Sequence, residues 1–119
     1  DAVLIRRIEK LARGAKLRAH IDWKNVPLLA GVRELAVQGM VTGASGRNWA
    51  ANGTEITLPA GFSDIDIALL NDPQTSGGLL VSCSPNAVDE VLSIFRQQGF
   101  IDASVIGDVT DGPVGLTLR

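Results

Sequence analysis

The run Asp72-Pro73-Gln74-Thr75-Ser76-Gly77-Gly78-Leu79-Leu80 holds more polar chemistry than a plain turn requires. Pro73 fixes its own φ and biases Asp72 away from the helical region. Gly77 and Gly78 have access to backbone angles that other residues avoid, and they let a ligand approach the main chain closely. Consecutive N–H groups in such a turn form an anion-binding nest, and Asp72 is a candidate for holding a cation or orienting a water. A turn capped by Asp, Thr and Ser ahead of a strand uses the same residues, and the run alone leaves both readings open. A second polar group lies in the segment Gly43 to Gly53, rich in Gly, Ser and Asn, where Arg47 is the only charge. Arginine presents a planar fork suited to phosphate or carboxylate, and Asn48 both donates and accepts. Trp49, with Trp23, is placed to anchor this segment by packing. A surface ion pair is the other reading of Arg47.

No complete catalytic apparatus accompanies these residues. Ser76-Gly77-Gly78 lacks the lysine and the following helix of a phosphate-binding P-loop. The acidic residues Asp64, Asp66, Asp72, Asp89 and Glu90 are scattered, and Asp64 and Asp66, two apart, do not share a helix face. His20 is the only histidine and Cys83 the only cysteine. Cys/His metal spacing is therefore missing, an internal disulfide is impossible, and Cys83, with no base near it in sequence, reads as a strand residue. No catalytic or metal-ligating residue is assigned.

A net charge of −2 provides no basic field to track nucleic acid. No stretch approaches the ~20 apolar residues that cross a bilayer, and no charged-then-apolar leader is seen. The expected setting is cytoplasmic, with neither membrane nor nucleic acid as partner. A hydrophobic fraction of 45% and a charged fraction of 20% suit one soluble globular domain over residues 1–119.

The elements that must position the polar groups follow from periodicity. Leu4, Ile5, Ile8, Leu11 and Ala12 share one helical face, with Gly14 as the expected C-cap. Arg6, Arg7, Glu9, Lys10 and Arg13 fall largely on the other face, which reads as a solvated face, with a phosphate site as the alternative. Leu17, Ala19 and Ile21 alternate with Arg18, His20 and Asp22 as a half-buried strand, which puts His20 with the polar set. Pro27 opens a helix carrying Leu28, Leu29, Val32, Leu35 and Ala36, closed at Gly39. Met40 to Gly43 is short and extended, and Gly43 to Gly53 is a loop, long enough in a compact domain to carry function. Thr54 to Leu58 is a short strand and Pro59-Ala60-Gly61 a turn. Ser63 is a candidate N-cap for a helix over Asp64 to Leu70, although Ile65, Ile67 and Leu69 also alternate as a strand would. Gly78 to Cys83 reads as a strand. Ser84-Pro85 starts a helix to about Gln98, capped by Gly99. Val105–Val109 and Val114–Leu118 read as strands joined by a turn at Asp111-Gly112, hence as a hairpin. The expected fold class is α+β, with helices packed on a mixed β-sheet.

Several of these segments, in order, resemble the C-terminal domain of selenophosphate synthetase (selenide, water dikinase), a domain shared with aminoimidazole ribonucleotide synthetase. They are Gly14-Ala15-Lys16-Leu17-Arg18-Ala19-His20-Ile21-Asp22, Val26-Pro27-Leu28-Leu29-Ala30-Gly31-Val32, Gly43-Ala44-Ser45-Gly46-Arg47-Asn48-Trp49, Asp72 to Leu80 with Val81-Ser82-Cys83, and Ala103-Ser104-Val105-Ile106-Gly107-Asp108-Val109. The likeness covers roughly residues 8 to 119 and favours the helix over Asp64 to Leu70.

The resemblance implies a parent enzyme that makes selenophosphate, AMP and phosphate from ATP, selenide and water. ATP and Mg2+ would bind mainly outside this chain, in an N-terminal ATP-binding domain that is the chain's implied partner, and the parent would be a homodimer. Arg47, Asn48, Asp72, Gln74, Thr75, Ser76, Gly77 and Gly78 would border a phosphate-bearing ligand. The family's reactive Cys or selenocysteine lies near the start of the full-length chain, so Cys83 does not match it. Its Asp-Val-Thr-Gly-Phe-Gly segment is not matched by Asp1-Ala2-Val3, and Arg6-Arg7 stand where the family has Gly-His. The isolated chain is expected to be inactive. A non-catalytic α+β binding or dimerisation module is the alternative.

Overall fold

A computed structural model describes residues 3–119; Asp1 and Ala2, part of the unmatched N-terminal segment, lie outside the described residues. The described residues form five α-helices and a four-stranded mixed sheet: α1 (Leu4–Ala15), β1 (Arg18–Ile21), α2 (Val32–Val37), α3 (Gly43–Asn52), β2 (Ile56–Thr57), α4 (Asp64–Leu70), α5 (Val88–Gln97), β3 (Gly107–Thr110) and β4 (Gly115–Leu118). The expected α+β class is what the chain adopts.

The apolar stripe of α1 meets one face of the sheet. Ile5, Ile8 and Ala12 are buried against Ala19, Ile21, Leu116 and Leu118, and Val3 and Leu70 complete the cluster. The other face is polar. Arg18 donates from Nε to Thr117 Oγ1 at 2.9 Å and from Nη2 to Thr57 Oγ1 at 3.1 Å, while His20 Nε2 shares a 3.0 Å hydrogen bond with Thr110 Oγ1. The alternation read in Leu17–Asp22 thus sorts side chains between two faces, as a period of two demands.

The hairpin expected at the end of the chain does not form. The strand order is β2-β4-β1-β3, so β1 lies between the last two strands, antiparallel to β3 and parallel to β4. Arg18 is opposite both Thr110 and Gly115. The short link between them passes the start of β1, helped by Gly112 at φ 146°, and Arg18 Nη1 donates to the Pro113 carbonyl at 3.3 Å. A period-two pattern specifies strands, while pairing depends on which neighbour buries the most surface.

Helix ends also differ from expectation. α1 runs through Gly14, and Lys16 takes the left-handed conformation at φ 56° in its place. The Leu17 N–H then bonds the Ala12 carbonyl at 2.9 Å, which turns Leu17 towards β1. Pro27 does not open α2. Pro27 holds Val26 extended, and the helix starts only after Gly31 at φ 81°. Gly39 at φ 85° and Gly99 at φ 90° close α2 and α5 as expected. In the latter, Phe100 N–H bonds the Phe95 carbonyl at 2.9 Å and the two rings meet edge to face at 6.2 Å.

Two further corrections concern the candidate site. The segment Gly43 to Gly53 is mostly helix, α3, because its polar residues serve as internal pins: Ser45 is buried, Asn52 Nδ2 bonds the Asn48 carbonyl, and Trp49 packs on the core. Tertiary contacts here outweigh the weak helix propensity of Gly, Ser and Asn. Gly78 to Cys83 forms no strand; it is paired with none of the four strands, and Leu79 is 82% exposed.

Candidate functional site

Residue 71 joins the two polar groups singled out above. α4 starts from a capping box, with Ser63 Oγ accepting from the Asp66 N–H at 3.1 Å and Asp66 Oδ2 accepting from the Ser63 N–H at 3.3 Å. At the far end of α4, Asn71 is fully buried and its Nδ2 donates to the Ile67 carbonyl at 2.8 Å. Asn48 Nδ2, from α3, donates to the Asn71 carbonyl at 3.0 Å. This bond ties α3 to the residue immediately before Asp72. Asp72 is half-buried and accepts from Gln74 Nε2 at 3.0 Å.

Asn48, Asp72 and Gln74 are therefore brought to one place, the C-terminal end of α4. Arg47 lies on the exposed side of α3. The position a Gly43 Cβ would occupy is 3.7 Å from Arg47 Nη1, so the guanidinium folds back towards the first turn of its own helix. No ion pair holds it among the described residues; the surface ion pair anticipated as the other reading is not formed. Thr75, Ser76, Gly77 and Gly78 are exposed.

The two glycines differ in their surroundings. Neither takes a positive φ. Gly77 is constrained by crowding, since a Cβ there would come within 2.9 Å of Gln74 Cβ, whereas Gly78 has open space where its side chain would be. Cys83 is exposed and free, outside any strand.

A further charged group, Asp66 at the start of α4, was not among the candidate site residues. Asp66 Oδ1 accepts from Trp23 Nε1 at 2.8 Å and from Arg33 Nη2 at 2.6 Å, while Ser63 Oγ donates to Oδ2 at 2.6 Å. Burial alone would raise its pKa, but the bonds from Ser63, Trp23 and Arg33 outweigh burial and lower it to about 2. Trp23 also meets Phe62 edge to face at 5.7 Å. The Ser63-x-x-Asp66 spacing was the available signal for the cap; the Trp23 and Arg33 contacts span more than 30 residues and have no local signature. Asn71 was also missed. Its Oδ1 is buried and has no hydrogen-bond partner.

Among the described residues, no group of three or more His, Cys, Asp or Glu side chains is placed to hold a metal ion. No helix among the described residues is long and apolar enough to cross a membrane.

An α+β sheet domain with a Gly-containing polar turn pinned to a neighbouring helix is the class that fold and site define. The family model described as "AIR synthase related protein, C-terminal domain" matches residues 3–118. The chain belongs to that family.

Among curated relatives, it is similar to the selenide, water dikinase of Burkholderia orbicola, with 56% identity over 104 residues, 87% of this chain and 29% of that protein. It is 53% identical over 103 residues to the selenide, water dikinase of Pseudomonas straminea, again 87% of this chain and 29% of that protein. The selenide, water dikinase of Rhizobium meliloti is 40% identical over 103 residues, 87% of this chain and 30% of that protein. The resemblance to the selenophosphate synthetase C-terminal domain read from the motifs is borne out. The chain spans under a third of the length of the curated relatives it matches.

Proposed function

We propose that this chain serves as one domain, the substrate-side C-terminal domain of an ATP-dependent selenophosphate synthetase, and borders a phosphate-bearing ligand through α3 and the Asp72–Gly78 turn. The carrying observation is the Asn48–Asn71 bond, which holds α3 against the start of that turn. Arg47, free of any ion pair among the described residues, and the exposed main chain of Thr75 to Gly78 would supply positive charge and N–H donors to the ligand. Asp72 and Gln74, bonded to each other, would shape its rim. On this reading ATP, selenide and water are the parent's substrates, and ATP with Mg2+ binds mainly on an upstream domain. The parent is a cytoplasmic homodimer, and this chain turns over nothing alone.

The test uses a full-length selenide, water dikinase carrying this chain as its C-terminal domain, assayed for selenophosphate by phosphorus NMR. Arg47→Ala should lower turnover by about tenfold or more, as loss of a charge-stabilising donor does, with unchanged melting temperature. Asp72→Asn should lower it as well. Normal turnover in both variants would remove the reading.

A second reading, a docking or dimerisation module without chemistry, is favoured by the exposed apolar residues. Leu29 is 83%, Ile101 76% and Phe100 62% exposed, large apolar side chains of the kind that contacts between proteins cover. Sedimentation of the isolated chain separates the readings. Self-association without any phosphate response favours the module, and a phosphate response in a monomer favours the substrate-side domain.

A further inference from the structure

We propose that the cleft between α1 and the Gly78–Leu80 segment binds a small amphipathic phosphomonoester, its phosphate on Arg7 and Lys10 and its apolar body on Leu11 and Leu79. The cleft has a volume of about 320 Å3 and is lined by Arg7, Lys10, Leu11, Gly78, Leu79 and Leu80. That volume falls within the range of small-molecule sites. It shares only Gly78 with the set discussed under the proposed function and does not rest on that reading.

Charge is the first reason. Arg7 and Lys10 are three residues apart on α1 and so lie on one helix face. Neither has an ion-pair partner among the described residues, whereas Arg13 of the same helix is paired with both Glu9 and Glu55. The cleft therefore holds two uncompensated positive charges in a chain of net charge −2. A phosphomonoester carries nearly two negative charges at neutral pH, which matches the pair.

The main chain and the leucines supply the rest. The N–H groups of Gly78, Leu79 and Leu80 donate to no other described residue. Gly78 has nothing within 4 Å of its missing Cβ, so a ligand oxygen has room to reach this stretch of backbone. Leu79 is 82% and Leu11 48% exposed at the same cleft, apolar surface that an inorganic anion would leave wet. Cations, open N–H donors and uncovered leucines together call for a ligand with an anionic end and an apolar end.

The experiment is an amide NMR titration of the 119-residue chain with 1-naphthyl phosphate, inorganic phosphate and 1-naphthol as separate probes. Naphthyl phosphate is expected to give saturable shifts at Leu11, Gly78, Leu79 and Leu80, and to bind more tightly than either fragment. The double variant Arg7→Gln/Lys10→Gln, changed only at exposed helix positions, should keep the remaining spectrum and bind about tenfold more weakly, the worth of two partly exposed charge contacts. Equal affinity in the variant, or equal binding of naphthol, would show that the anionic end is not recognised and would overturn the proposal. Equal binding of inorganic phosphate would do the same for the apolar end. Shifts at these amides that follow protein concentration without any probe would assign the cleft to a second copy of the chain instead.

Discussion

Replacing Asp66 by Asn tests whether the hydrogen-bonded carboxylate at the start of α4 holds the domain's helices together. The perturbation keeps the shape of the side chain and an acceptor for Trp23 but removes the charge that Arg33 faces at 2.6 Å. The Asp66 pKa falls from 3.8 to about 2, which by linkage corresponds to roughly 2 kcal/mol of stability. The side chain keeps 16% of its surface open and Arg33 keeps 46%, so solvent screening reduces the expected worth to about 1 kcal/mol. Because the folded-state pKa is depressed, this contribution is fully present above the unfolded value of 3.8 and is lost as pH falls towards 2. Urea denaturation of the native chain and Asp66→Asn should differ by about 1 kcal/mol from neutral pH down to about pH 5. The gap should then close between about pH 4 and pH 2 as the native carboxylate takes up its proton. A gap that stays constant across that range would refute the reasoning, since the cost would then come from packing and not from the charge.

Three other substitutions probe the backbone and the buried polar group. Lys16→Gly should raise stability by up to about 1 kcal/mol in the same urea assay, because Lys16 holds φ 56° that only glycine adopts without strain. Gly107→Ala should cost several kcal/mol, about 3 or more, and broaden the β3 amides in NMR spectra, because a Cβ there would lie 1.9 Å from the His20 carbonyl oxygen. Asn71→Asp should cost at least about 3 kcal/mol at neutral pH, because a fully buried carboxylate would replace an amide and lose its bond to the Ile67 carbonyl. Thermal melts that recover at acidic pH, where the new carboxyl is neutral, would confirm that the cost is one of charge.

The sequence by itself determined the class of fold and the family. Period-two alternation around Ala19 and Ile21 and helical spacing of Ile5, Ile8 and Ala12 are local consequences of backbone geometry, and these are the residues that became the core. The Ser63 cap and the Gly39 and Gly99 stops were equally legible, because caps satisfy backbone groups within one turn. The Asp72–Leu80 motif carried the resemblance that the relatives bear out.

The tertiary structure alone decided the rest. Insertion of β1 between β3 and β4 depends on contacts about 90 residues apart in sequence, such as Arg18 opposite Thr110. Gly43 to Asn52 is helical because Ser45 is buried and Asn48 reaches the end of α4; none of these causes lies within the segment's own propensities. The same holds for charge. Arg47, Arg33 and Arg7 look alike in sequence, yet the fold pairs Arg33 with Asp66, folds Arg47 over its own helix and leaves Arg7 with Lys10 at an open cleft. Which cations are neutralised and which stay available is a matter of long-range packing, and that selection separates structural charges from candidate binding ones.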